Sequence, residues 1–261
     1  MNYINQEYFL PLLEDFYLKT KNLYDCGYDQ GPFIPYTMPL YMESKLKIFY
    51  IGRDTYWWCP YDKLQSSYNS SLLSDYLSTN TNCVDVDKML SWNNNSGSFW
   101  TFVCKLHLLI RTGRYKDDIT DITPREYNLL EEIGYGNLYS IETPETLQKE
   151  ERGVWSGISD IKKYHEICDA SQYFEKLKSI IEAYGPDVIF ITTWIDRDSF
   201  FEGTDYEWQK SYYVDNYRSV FLSKTYKAKI IWTSHPNRFR FMGTNIREMC
   251  TYLTGTLKML L

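Results

Sequence analysis

Three short apolar runs constrain this chain most: LKIFYIG at 46–52, PDVIFITTW at 186–194 and KAKIIWTS at 227–234. Each has the length and the β-branched or aromatic content of a strand, and the first ends in a glycine that stops it. Helix patterns lie between and around them. Residues 5–24 carry Tyr8, Leu12, Leu13, Phe16 and Leu23 at helical spacing. SFWTFVCKLHLLIRTG at 98–113 has the length and periodicity of a mostly buried helix, with Gly113 as its stop. Thr123-Pro-Arg-Glu126 supplies a hydroxyl cap, a first-turn proline and an acid three residues on, which predicts a helix ending near Ile133-Gly134. SQYFEKLKSIIEAYG at 171–185 is amphipathic and closed by glycine, and a last helix is predicted over 244–259. YGNLYSIE at 135–142 reads as a further short strand, second in chain order, or a strand end with a loop, and 215–225 as helical. Residues 53–66 read as an aromatic-rich loop, 66–95 as irregular with short helical pieces, and 195–215 as an acidic, aromatic loop. Strands alternating with helices imply an α/β fold with a mostly parallel sheet and helices on both faces.

Such sheets bind ligands beyond the carboxyl ends of their strands, so the segments that leave the strands hold the candidate chemistry. After the first strand come Gly52-Arg53-Asp54-Thr55-Tyr56-Trp57-Trp58. Gly52 allows a sharp turn or a close ligand approach. Asp54 is read either as a turn-capping aspartate or as a carboxylate that orients a water. After the last strand come Ser234-His235-Pro236-Asn237-Arg238-Phe239-Arg240-Phe241. His235 can stabilise a developing anion by donating a hydrogen bond. Arg238 and Arg240 alternate with aromatics, which suits phosphate contacts flanking an apolar wedge, and equally an ordinary loop before a helix. Asn137 follows the second strand in chain order, either as a turn residue or as an amide that matches the edge of a pyrimidine. His107 reads as a core or boundary histidine, and His165 with Glu166 lacks a further ligand at metal spacing.

Composition narrows the classes. The 261 residues suit one large domain, and a 44% hydrophobic content can build its core. A formal charge of -6 opposes a general polyanion-binding surface, so any nucleic-acid contact must be local. The six cysteines, Cys26, Cys59, Cys83, Cys104, Cys168 and Cys250, form no CxxC pair and read as reduced thiols of a cytoplasmic protein. The amino terminus lacks a secretory pattern, and no apolar run is long enough to span a membrane, so no membrane partner is expected. Walker, GxGxxG and GxSxG motifs are absent, and neither metal nor organic cofactor is expected.

Together, IGRDTYW, YGNLYSIE and TSHPNRFRF, in that order, resemble the uracil-DNA glycosylase superfamily, whose corresponding segments are a GQDPYH-like motif, a strand ending in asparagine, and HPSPLS. The resemblance covers roughly residues 46–254, preceded by an N-terminal helix and loop over 1–45. It implies a single domain, a three-layer α/β/α sandwich around a four-stranded mostly parallel sheet. It further implies that Asp54 positions the attacking water and that His235 stabilises the departing base. Gly52, Arg53, Tyr56, Trp57 and Asn137 would form the base pocket, with Tyr56 as its wall and Asn137 reading the base edge. Trp57, Trp58 or an aromatic near Phe99 would stack on the base. Arg238, Phe239 and Arg240 would contact DNA, with Phe239 or a neighbour filling the gap left by a flipped nucleotide. Arg53, Thr55 and Trp57 stand where the family motif has glutamine, proline and histidine, which implies a different or modified base. A protein that keeps the fold and only binds a nucleobase or nucleic acid is the alternative.

Overall fold

A computed structural model describes residues 4–22, 32–52, 61–78, 84–91, 99–137, 176–193, 208–210, 217–223 and 225–261. These group into two compact units. One draws on Met1–Tyr36, Arg53–Cys83 and Gly136–Tyr184, the other on Thr37–Gly52, Val84–Tyr135 and Gly185–Leu261.

The described residues of the first unit are mainly helical: α1 (Gln6–Thr20), α2 (Tyr61–Asn69), α3 (Leu73–Ser78) and α7 (Lys176–Tyr184). The Asn5 side chain caps α1 by accepting from Tyr8 N, which satisfies one of the orphan donors of the first turn. The Tyr184 hydroxyl accepts from Asn5 N at 3.2 Å and donates to Pro35 O at 2.6 Å, joining three chain segments in one buried position.

The second unit holds β2 (Ile48–Gly52), β4 (Val188–Thr192), β5 (Trp208–Lys210), β6 (Arg218–Ser223) and β7 (Lys229–Thr233). Its helices are α4 (Val86–Ser91), α5 (Phe99–Thr112), α6 (Pro124–Leu130) and α8 (Ile246–Leu260). With β1 (Tyr36–Thr37) and β3 (Ile133–Asn137), the strands form one sheet in the order β1-β3-β2-β4-β7-β6-β5. The α/β class expected from the alternation is present. Among the described residues the sheet has seven strands, not four, and it is mixed: β2, β4 and β7 run parallel, while β6 is antiparallel to both β7 and β5.

Register is fixed at the amino edge by Asp187. Its carboxylate accepts from Lys47 N at 2.9 Å and from Lys227 Nζ at 2.5 Å, while Asp187 N donates to Lys47 O and Asp187 O accepts from Lys229 N. Burial alone would raise this carboxyl, but Lys227 and the Lys47 amide outweigh it and hold it below the ordinary value. Both sheet faces are buried. Tyr50, Phe190, Ile231 and Val220 align across one face, and Phe49, Ile51, Ile189, Ile191, Ile230 and Trp232 across the other are wholly inaccessible. Tyr50 and Phe190 stack at 5.5 Å, and His107 of α5 meets Tyr50, so α5 covers the first of these faces.

Two expectations are corrected here. Residues 215–225 are not helical: Arg218–Ser223 is a strand buried from Arg218 to Phe221, so it shows no alternation to mark it. The helix begun at Pro124 ends at Leu130, and Gly134, expected at its end, lies inside β3. A Cβ there would collide with the Phe49 ring, so glycine is required by the close approach of β3 to that ring.

Candidate functional site

The four strands expected from the sequence are adjacent in the sheet, in the order second, first, third, fourth: β3-β2-β4-β7. The chain leaves β2 for a strand on one side and later returns to a strand on the other. The sheet therefore has a topological switch point between β2 and β4, the position at which open α/β sheets generally bind ligands. Because β2, β4 and β7 are parallel, Gly52, Thr192 and Thr233 end at one edge. The exits of β2 and β7 are two strand spacings apart, roughly 10 Å.

That edge is tied down by polar groups. The Thr192 hydroxyl donates to Ile51 O at 3.2 Å, and Thr193 N donates to Thr233 O at 3.1 Å. Trp232 Nε1 donates to the Thr193 hydroxyl at 2.9 Å, and the Thr233 hydroxyl donates to Tyr217 O at 2.7 Å. Hydroxyls thus lock neighbouring strands to one another where the ladder ends.

His235 leaves β7 by way of Ser234 and caps a 3-10 helix over Pro236–Met242. Its Nδ1 accepts from Asn237 N at 3.3 Å, so the proton of a neutral ring sits on Nε2 as a donor. The residue is half-buried. A 3-10 helix repeats every three residues. Pro236 and Phe239 accordingly share the inward stripe and are buried, and Phe239 packs edge-on against Phe102 of α5 at 5.3 Å. Arg238 and Phe241 share an outward stripe, and Phe241 is 87% exposed. Arg240 is also exposed, and neither arginine has an ion-pair partner among the described residues. Gly243, at φ 74, terminates the turn in the left-handed region. The expectation for Phe239 is corrected: it is a core anchor, and the exposed aromatic is its neighbour Phe241. The triplet spacing in Pro-Asn-Arg-Phe-Arg-Phe-Met was the signal for this, once the segment is read as a 3-10 helix and not as a loop.

Asn137 is the last residue of β3, not a residue beyond it, and is 4% exposed. Arg53, Asp54, Tyr56 and Trp57 lie outside the described residues, as do Trp58, His165 and four of the six cysteines. Cys104 and Cys250 are buried free thiols; burial pushes Cys104 up to about 12 and Cys250 higher still, which leaves both inert as nucleophiles. Among the described residues no cluster of three or more His, Cys, Asp or Glu could hold a metal ion, and no helix is long and apolar enough to cross a membrane.

A second polar cluster, not foreseen from the sequence, lies in the same unit. Arg111 Nε donates to His107 Nε2 at 3.2 Å, and His107 Nδ1 lies 3.1 Å from the Tyr50 hydroxyl. Arg111 Nη2 also reaches Leu46 O, the Ser44 hydroxyl and Glu132 Oε2. Burial first, and the Arg111 charge second, hold His107 well below its ordinary value. The cluster clamps the segment that enters β2 and stands away from the carboxyl edge, so its role is structural.

No family model, no curated protein and no solved structure matches this chain.

Proposed function

We propose that the protein hydrolyses an N-glycosidic bond of DNA at the carboxyl edge of β2, β4 and β7, with a uracil or modified base as leaving group. The observation that supports this reading is the parallel run of those three strands, which ends Gly52 and Thr233 at one edge of the sheet. Cleavage of such a bond passes through a cationic sugar and an anionic base. A carboxylate on one side and a hydrogen-bond donor on the other are the two groups it needs. Asp54 positions water and opposes the sugar charge. His235 offers Nε2–H to the departing base, a role that its Nδ1 bond to Asn237 N favours. Gly52, Arg53, Tyr56, Trp57 and Asn137 form the pocket, and the order of the strands is compatible with the three-layer, glycosylase-like sandwich in which such a pocket would sit. The step needs no metal or organic cofactor.

The test is base release from oligonucleotides that carry a panel of uracil and modified bases. Asp54→Asn should abolish most release and leave binding intact, because the amide keeps the size of the carboxylate but neither its charge nor its basicity. His235→Ala should slow release by the loss of one positioned donor, about 2–4 kcal/mol. Undiminished turnover by Asp54→Asn would falsify the mechanism. Binding without turnover on every base would identify a non-catalytic nucleobase- or nucleic-acid-binding protein instead.

A further inference from the structure

The clamp at the entry of β2 is built around a group that can change its charge. His107 is wholly buried on α5, and its Nε2 accepts from Arg111 Nε at 3.2 Å. That bond aims the guanidinium at the segment leading into β2. Arg111 Nη2 donates to the Ser44 hydroxyl and to Leu46 O, each at 2.6 Å, and pairs with Glu132 Oε2 at 2.9 Å. Two further bonds mark how far the segment can move. Leu40 N donates to Glu131 O on one side of it, and Lys47 N donates to the Asp187 carboxylate on the other. Between these anchors Met42, Glu43 and Lys45 are exposed, and Ser44 and Leu46 are the points at which Arg111 holds the stretch inward.

Charge decides whether the clamp stays closed. With a neutral ring, one cation faces one carboxylate, Arg111 against Glu132. A proton on the ring sets two cations against that carboxylate and turns the acceptor Nε2 into a donor aimed at a donor. An unpaired charge in a buried site is costly enough that one of the two cations must leave. His107 has no way out. Tyr50 on β2, the Leu129 backbone on α6 and Arg111 on its own helix face it, and of these the Leu129 backbone favours the charged ring while burial and Arg111 oppose it. The thiols of Cys104 on α5 and Cys250 on α8 act on the Tyr50 hydroxyl, and burial keeps both protonated. Arg111 does have a way out, since its side chain is 11% exposed and ends a long flexible stem. The hinge at Lys47 survives the same acidification, because Lys227 and the Lys47 amide keep the Asp187 carboxyl ionised below its ordinary range.

We propose that this clamp is an acid-released latch, in which a proton on His107 drives Arg111 off Ser44 and Leu46 and frees residues 42–46 while the sheet behind them stays folded. The device works at the amino end of β2 and does not depend on the chemistry at the carboxyl edge.

The test is an NMR titration of the isotopically labelled full chain from about pH 7.5 to about pH 4.5, across the range in which a histidine titrates. The His107 ring, the Arg111 Nε–H signal and the Ser44 amide should shift together with one midpoint below about 6.5, while the Ile189 and Ile230 amides hold their positions. Glutamine at position 107 offers a carbonyl that accepts from Arg111 and never titrates, so His107→Gln should abolish the Ser44 shift. Arg111→Gln should raise the midpoint of the ring by removing a neighbouring charge, and should uncouple Ser44 from it. This second variant leaves the buried ring in place, so it carries the test even where His107→Gln does not fold. An Arg111 signal that stays fixed while the ring titrates overturns the latch. So does a ring that takes up no proton before the Ile189 and Ile230 signals collapse. A Ser44 shift that persists in His107→Gln, or that still follows the ring in Arg111→Gln, overturns it as well, and assigns the shift to Glu132 or to the ring alone.

Discussion

His107 sits between a phenol and a guanidinium, and the guanidinium can only donate. Nε2 is therefore the acceptor for Arg111, and the ring's proton is on Nδ1, toward the Tyr50 hydroxyl. Protonating the ring would set a second donor against Arg111 in a fully buried site. The groups that face it are Tyr50 on β2, Arg111 on α5 and the Leu129 backbone on α6, with Glu132 beyond Arg111. The folded-state pKa lies below the ordinary 6.5, so on acidification the unfolded chain takes up the proton first. The stability tied to this residue is whole above about pH 6.5 and declines as pH falls below it, by at most about 1.4 kcal/mol per pH unit for one proton. Urea denaturation of the wild type between pH 7.5 and 5 should show this loss, and His107→Gln should remove its share of the slope. An identical pH profile in the variant would exclude the linkage. Little of the cluster was legible beforehand. The apolar helix pattern placed His107 in or near the core, but its partners come from strand and turn residues whose side-chain directions depend on tertiary packing. The same holds for Phe239 and Phe241. Both are phenylalanines in a loop-like stretch, and only the three-residue repeat decides which one is buried.

At the scale of elements, legibility followed local chemistry. The Thr123 capping box was readable because all its parts lie within four residues, and the structure has Glu126 N on the Thr123 hydroxyl and Thr123 N on the Glu126 carboxylate. Gly113 ends α5 at φ 72, as its position after the last periodic residue implied. The parallel strands β2, β4 and β7 were readable because each is a compact apolar run. β6 was not, for it carries Arg218 into the interior, where the guanidinium bonds the Thr256 hydroxyl and lies 4.3 Å over the Tyr252 ring. A buried arginine with such partners is invisible in a hydropathy pattern. The boundary of β3 was misjudged because glycine signals both a helix end and a strand pressed against a ring. This defines a test of the packing between β3 and β2. Gly134→Ala would put a methyl within 2.9 Å of Tyr41 as well as against Phe49, and should destabilise the protein by about 1–3 kcal/mol in chemical denaturation. An alanine variant as stable as the wild type would show that β3 can shift freely, contrary to that packing.

For the whole molecule, charge is the governing quantity. A net charge of -6 means that the proposed nucleic-acid affinity must come from the few cations positioned for it. For single strands the logarithm of affinity falls with the logarithm of salt by about 0.7 per phosphate neutralised, so two arginines correspond to a slope near -1.4. Binding isotherms across a salt series should return a slope of that order, and Arg238→Gln with Arg240→Gln should bring it close to zero. A slope several times steeper would mean a far wider cationic surface. The interleaving of the two compact units was not legible from the linear pattern, since each is assembled from three separate stretches of chain. The anchoring of the 3-10 segment has an evolutionary corollary. Its inward residues, Pro236 and Phe239, hold the backbone, while Asn237, Arg238, Arg240 and Phe241 face outward. Exchanges at exposed positions without structural partners usually shift stability by no more than about 0.5 kcal/mol. Selection can therefore rewrite this surface, one residue at a time, through intermediates that all still fold.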